Sequence, residues 1–284
     1  MRRKHVLIAV LTAAVLGMGW LQVSRAAQSE AAAAGLFRIT CGFSHSNADD
    51  MIVHPNRPGA SHLHDYFGNV GAKASSTYQS LLGVRSTCPS GDTAAYWTPA
   101  LYRNGKKVNP SFMTTYYTTP VDPGATPIQP FPADFRMIIG DAKNTDQSKV
   151  GRIEWGCSDN SIIQKTPPAR CAKADHIQVR ITFPSCWNGR SSGAANAVPN
   201  MRFPSRGLCP KGFGIPLPAL RVNVFYKTGN DVGQITLSSG SVASAHADFV
   251  NTWDQKALTD LVRNCHNGKR NCPRATGTTP GRNP

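Results

Sequence analysis

Asp175–Pro184, DHIQVRITFP, alternates cleanly. Ile177, Val179, Ile181 and Phe183 fall on one side; His176, Gln178, Arg180 and Thr182 fall on the other. A period of two carried by β-branched residues marks a strand with one buried face. VGRIEWGC (150–157) repeats the pattern with Ile153, Trp155 and Cys157, and RVNVFYKT (221–228) and QITL (234–237) read as further short strands. AAYWTPALYRNGKKVNPSFMTTYY (94–117) reads as two strands joined at Asn104-Gly105, a dipeptide suited to the positive φ angles of a hairpin turn.

Outward from these strands the chain is rich in turns, with 21 prolines and 25 glycines among 284 residues. TTPVDPGATPIQPFP (118–132) and CWNGRSSGAANAVPN (186–200) are loops. One helix is signalled in HADFVNTWDQKALTDLVRNC (246–265). Phe249, Val250, Trp253, Ala257, Leu258, Leu261, Val262 and Cys265 follow helical spacing, Asp248 stands where a cap belongs, and Arg263 complements the dipole at the far end. SSTYQSLLG (75–83) reads as a shorter helix capped by Ser75 or Ser76. The expected fold is mainly β: a sandwich or jelly-roll-like core with long loops, one long C-terminal α-helix, and disulfide bonds.

The ends set the compartment. Arg2, Arg3 and Lys4 precede an apolar run, Val6–Leu21, and small residues around a cut after Ala26. This is the layout of a secretory signal over residues 1–26, with an uncleaved signal anchor as the competing reading. Residues 27–35 read as a linker, 36–265 as a single β-rich domain, and 266–284 as a basic, partly disordered tail. No later segment is apolar enough to span a bilayer. The whole chain carries a formal charge of +15; removing residues 1–26 leaves 27 basic against 16 acidic residues, +11. Scattered basic residues suit a soluble surface or attraction to an acidic wall polymer. No basic helix or aromatic signature points to nucleic acid. A monomer is expected.

Eight cysteines in an exported chain argue for four disulfides. Pairing between sequence neighbours gives Cys41–Cys88, Cys157–Cys171, Cys186–Cys209 and Cys265–Cys272. No C-x-x-C pair suggests a zinc–cysteine site.

Two short motifs carry the candidate chemistry. In GASHLHDYFGN (59–69), His62 and His64 stand two apart, so in extended chain both imidazoles face the same side, while Asp65 points away. In SAHADF (244–249), His246 and Asp248 stand two apart at the expected helix start, where free N–H groups favour negative charge. Asp50 could orient an imidazole. These five residues, His62, His64, His246, Asp248 and Asp50, are the candidate catalytic set. They could work without metal as acid and base, or His62, His64 and His246 could hold zinc with a water position open. No other cofactor is indicated. Arg136 could clamp an anionic group and Tyr96 and Trp97 could stack on sugar rings, whereas Trp187 and Trp253 are expected in the core and His45, His54 and His176 outside the site. G-x-S-x-G, P-loop, H-E-x-x-H and dinucleotide fingerprints are absent.

FRITCG (37–42) followed by DDMIVHPNRPGASHLHDYFGN (49–69) resembles the opening of the secreted DUF1996 family of fungi and actinobacteria. TYQSLLGVRSTC (77–88), AYWTPALY (95–102), PFPADFRMIIG (130–140), ITFPSCWNGR (181–190) and SAHADFVNTWD (244–254) follow in order. The resemblance implies matching roles for Asp50, for the H-x-H at His62 and His64, and for the H-x-D at His246 and Asp248. It departs at Asn188, where the family usually has aspartate, and at Gly68-Asn69, where it often has GGS. Attached carbohydrate-binding modules in fungal members point toward polysaccharide. The expected function is action on extracellular or cell-wall polysaccharide, by hydrolysis or elimination, at a histidine-lined cleft. The alternatives are a non-catalytic wall- or glycan-binding module and a metal-binding protein.

Overall fold

In the computed structural model, which describes residues 35–89, 91–190 and 197–273, the alternation at 175–184 is realised as an interior strand of an antiparallel sheet. The expected signal at 1–26, most of the linker at 27–35 and the tail beyond 273 lie outside the described residues.

Ten strands form this sheet. In chain order they are β1 (Leu36–Asn47), β2 (His64–Gly68), β3 (Ala95–Pro99), β4 (Phe112–Thr118), β5 (Arg136–Gly140), β6 (Ile153–Cys157), β7 (Ile163–Gln164), β8 (His176–Thr182), β9 (Ala219–Lys227) and β10 (His246–Val250). Their spatial order is β5-β10-β3-β2-β1-β4-β9-β8-β6-β7, and every neighbouring pair is antiparallel. Two three-stranded sheets accompany it, one of them built on the hairpin Leu101–Arg103 and Lys106–Val108. The turn of that hairpin is Asn104-Gly105, with φ of 49° and 76°, as the dipeptide predicts. The fold is mainly β, as expected.

The sheet has two apolar faces of unequal size. Phe37, Ile39, Tyr96, Tyr117, Trp155, Ile177, Val222 and Phe249 belong to the main core. On the other face of the β2–β3–β10 half, a second cluster joins Tyr66, Trp97 and Val250 to Met51, Ile52, Ala72 and Leu81 from the segment that follows β1 and β2. Strands β2, β3 and β10 are therefore buried on both sides along their whole length.

This double burial overturns the helix expected from residue 246. His246–Val250 is β10, and the helix runs only from Gln255 to Leu261, capped by Asp254, whose carboxylate accepts from Ala257 N (2.8 Å). A π-helical turn, Val262–Asn267, follows. Phe249 and Val250 at helical spacing fit a strand equally well. Burying Phe249 and Val250 on opposite faces is worth about 2 kcal/mol each, against a few tenths of a kcal/mol per residue of helix propensity. Asp248 is not a cap, and no helix dipole acts on His246. The shorter helix is Tyr78–Leu81, capped by Thr77 rather than Ser75 or Ser76.

All four sequence-neighbour disulfides are present, and no described cysteine is free. The last of them moves the start of the tail. His266 is buried, and Cys272 N–H donates to Leu36 O (2.8 Å), so residues 266–273 belong to the folded body.

Gly140 ties this frame to the site. It pairs with His246 at φ +94°, and a Cβ there would lie 2.3 Å from Ala245 O and 2.7 Å from His246 Cα. Gly140→Ala is expected to cost about 2 kcal/mol or more. That lowers the melting temperature by about 4–8 °C in a domain of this size, as calorimetry would record. An unchanged melting temperature would contradict the close approach.

Candidate metal centre

The site begins with two strands that are not neighbours. β3 lies between β2, which carries His64, and β10, which carries His246. His62 precedes β2 by two residues. The imidazole arms close the gap: His62 Nε2 lies 3.1 Å and His64 Nε2 lies 3.3 Å from His246 Nε2. His64 and His246 are closed in, at 0% and 4% exposure, and half-buried His62 is the solvent side of the cluster.

The other ring nitrogens fix the tautomers. His64 Nδ1 is 3.0 Å from Asp49 O, and His246 Nδ1 is 2.8 Å from Ser244 O. A carbonyl only accepts, so each Nδ1 carries the hydrogen and each Nε2 keeps a lone pair. Burial, followed by neighbouring imidazoles, holds His64 well below the usual histidine range. Burial also lowers His246 to about 4 and lowers His62, with His54 adding to the effect on His62. All three rings are neutral at pH 7. His62 can donate an Nε2 hydrogen to His246, but the His64 and His246 lone pairs then still oppose each other at 3.3 Å. A cation among the three Nε2 atoms resolves every contact at once. Tetrahedral zinc at about 2.0–2.1 Å per nitrogen calls for nitrogens about 3.3–3.4 Å apart, and Nδ1 donation to a carbonyl is the usual support of a metal-bound histidine. The cluster could hold a metal ion.

Two carboxylates stand beside it. Oxygens of Asp50 and Asp248 and a ring nitrogen of His64 lie within 4.8 Å of one another. Asp50 Oδ1 accepts from the Ile52 and Val53 N–H groups (both 2.8 Å) and so shapes the turn after β1. Asp248 is buried, and neither of its carboxylate oxygens has a hydrogen-bond partner among the described residues. Burial, then Asp50, pushes its carboxyl well above the usual range. Asp65 points to the opposite face, as alternation requires, and meets Ser46 Oγ (2.6 Å) and Lys107 Nζ (3.0 Å).

The structure brings His62, His64, His246, Asp50 and Asp248 together, and leaves out the three expected substrate contacts. Arg136 sits opposite Val250, at the end of β5 away from His246, and its guanidinium is forked onto Asp134 (2.9 and 3.2 Å). Tyr96 and Trp97 are 1% and 0% exposed, one on each face of β3, and offer no platform to a sugar. A hollow of about 620 Å³ is lined by Phe131, Trp187 and Ile215 among others, and contains none of the five site residues. Trp187 is half-buried there and packs against the edge of the main core, edge-on to Phe135. His45, expected outside the site, stacks on Tyr66 with ring centroids 4.7 Å apart.

Asp49 was not among the expected site residues. Its carbonyl takes both His64 Nδ1–H and the Tyr66 hydroxyl (2.6 Å). Its carboxylate takes Gly59 N–H (2.8 Å), Ala74 N–H (2.9 Å) and Asn47 Nδ2–H (3.0 Å). The one local signal was the Asp49-Asp50 doublet before an apolar pair.

These features define a disulfide-bonded, mainly β protein with a buried three-histidine cluster. The chain belongs to the family described as a domain of unknown function, DUF1996, whose model matches residues 50–253. No curated protein and no solved structure matches it. The four disulfides fit a secreted protein; no helix among the described residues is long and apolar enough to cross a membrane.

Buried Tyr96 has a different role. Its hydroxyl donates to Asp92 Oδ2 (2.9 Å) and lies 2.5 Å from Tyr117 Oη, which accepts from Trp253 Nε1 (3.1 Å). Burial pushes the Asp92 carboxyl up to about 8, against the pull of the Tyr96 hydroxyl and Ala94 N–H. The folded chain thus keeps a proton that the unfolded chain releases near 3.8, and the stability this proton contributes is lost as pH rises through 8. Burial lowers His266 to about 4, so its opposing effect is felt only as pH falls below 6.5. Denaturant unfolding is expected to show a loss of about 2 kcal/mol between pH 6.5 and 8. Asp92→Asn, neutral and of the same shape, should flatten that slope; an equal slope in both proteins would place the titration elsewhere.

Proposed function

We propose that the protein binds a zinc ion through His62, His64 and His246 and acts hydrolytically on extracellular polysaccharide. The observation that supports this most is the convergence of three neutral imidazoles on one point, two of them with Nδ1 tied to backbone carbonyls. Zinc so held would lower the pKa of a bound water and polarise an oxygen of the bond to be cleaved. His64 and His246 are held by rigid strands, which suits ligands that must not move. His62 is the least buried of the three, so a substrate would approach on its side. Asp50 and Asp248 place carboxyl groups next to the three neutral rings, and neither oxygen of Asp248 is engaged by a hydrogen bond among the described residues. The four disulfides suit work outside the cell. Non-catalytic glycan binding is the second reading, and the excess of basic residues favours it.

Zinc titrated calorimetrically into chelator-treated protein should bind at one ion per chain and raise the melting temperature. His64→Ala should abolish both effects, and Asp248→Asn should weaken affinity by about tenfold. Heat release absent from the unaltered protein would remove the metal. Reducing-end release from cell-wall glycans should be lost in His64→Ala. Equal release from both proteins would remove His64 from catalysis, and no release from the zinc-loaded protein would favour simple binding.

A further inference from the structure

The outer face of the sheet has a second half, over β1, β4, β9, β8 and β6, away from the histidines. Alternation from the core residues Ile39, Tyr117, Val222, Val179 and Ile153 fixes which side chains lie there. One register row crosses Arg38, Tyr116 and Arg221; the next crosses Thr114, Asn223, Arg180 and Glu154; a third holds Phe112, Phe225 and Gln178. The middle of the face is polar and closed in: Thr114, Asn223 and Gln178 are buried, and Asn223 Nδ2 donates to Gln178 Oε1 (2.8 Å). Arg38 is exposed, and Tyr116, Arg180 and Arg221 are half-buried.

Three arginines therefore share this face with a single acidic residue, Glu154. No ion pair to Arg38, Arg180 or Arg221 is present among the described residues, although Glu154 lies near enough to attract both Arg180 and Arg221. Arg180 is set in place by neutral groups, donating from Nε to Gln178 Oε1 (3.3 Å) and from Nη2 to Asn160 Oδ1. The Arg221 guanidinium lies over the Tyr116 ring at 4.6 Å, and its Nε is buried without a hydrogen-bond partner. A guanidinium stacked on a ring keeps its in-plane N–H fork free at the edge, the geometry that grips a carboxylate bidentately. Two unpaired like charges held side by side on rigid strands cost stability in the free protein, and an anion between them offsets that cost. Phe112 and Phe225, stacked at 4.5 Å with Phe112 half-buried, add an aromatic patch to the same face, suited to the C–H face of a pyranose ring.

We infer that this half-face is the docking surface for a carboxylate-bearing polysaccharide, a polyuronate, with Arg180 and Arg221 gripping one carboxylate and Arg38 the next along the chain. The inference rests on the reading of the substrate as a glycan and names its chemical class; it does not depend on the metal. The aromatic patch favours a sugar chain over a bare polyphosphate.

Binding of the full-length protein to polygalacturonate, a neutral β-glucan, polyphosphate and single-stranded DNA, measured across a salt series, tests it. Polygalacturonate should bind best and weaken steeply with salt. The double variant Arg180→Gln/Arg221→Gln should lose about tenfold or more, and Arg180→Lys/Arg221→Lys should recover part of the loss. Should the double glutamine variant fail to fold, Arg38→Gln at its exposed position must still weaken binding. Unaltered binding by the glutamine variants, equal binding of the neutral glucan, or tighter binding of DNA or polyphosphate overturns the inference. Loss of zinc binding with polyuronate binding intact defeats the metal reading alone, and the converse result defeats this one alone.

Discussion

Asp49 holds the segment after β1 with both its carboxylate and its carbonyl, and the site exists because it does. The carboxylate ties Gly59 and Ala74, fifteen residues apart, to the end of β1 through Asn47. The loop is thereby folded over the sheet, with Met51 and Ile52 set down on Tyr66 and Trp97. A carboxylate at 4% exposure is tolerable only with its lone pairs occupied, and three N–H donors occupy them. The carbonyl of the same residue then fixes His64 by its Nδ1 hydrogen. One residue thus closes the small second core and chooses the tautomer of the His64 imidazole. Removing the carboxylate would leave Gly59 and Ala74 N–H groups short of a partner, each at about 1–3 kcal/mol, and would loosen His64 together with the loop.

How much of this was legible in the sequence depends on range. Asp175–Pro184 betrayed its strand because one of its faces is polar, and alternation survives there. The disulfides followed from sequence proximity. The H-x-H and H-x-D pairs were legible as same-side pairs because both occur in extended chain, although the second was assigned to a helix start. That error has a physical origin. β10 is only five residues long and buried on both faces, so the polar–apolar alternation of His246–Phe249 breaks at Val250, and its apolar residues run into a true helix four residues later. Tyr96 and Trp97 failed as surface platforms for the same reason: a strand sandwiched between two cores hides both parities, and only the loop that Asp49 folds over creates the second core. The convergence of His62 and His64 with His246, about 180 residues away, depends on β3 being inserted between β2 and β10, a topological fact with no local signature.

The two halves of the outer face show how one sheet can divide its labour. Where the loop covers β2, β3 and β10, apolar contacts exclude water, and the few polar groups left inside are forced into defined tautomers. Ring nitrogens there become good ligands because burial keeps them unprotonated, and a buried Asp248 with no donor is placed next to them rather than against an arginine. Over β4, β9 and β8 the same alternation buries Thr114, Asn223 and Gln178 but leaves Arg180, Arg221, Tyr116 and Phe112 half-exposed, able to meet a large ligand. The arginines that would repel a dication thus lie on strands away from the imidazoles, while Asp50 and Asp248 lie with the imidazoles and Glu154 alone shares the arginine face. Charges of either sign scattered over both halves would serve neither purpose. Their segregation by strand would let one sheet hold a cation in one place and an acidic chain in another, as the two proposals require.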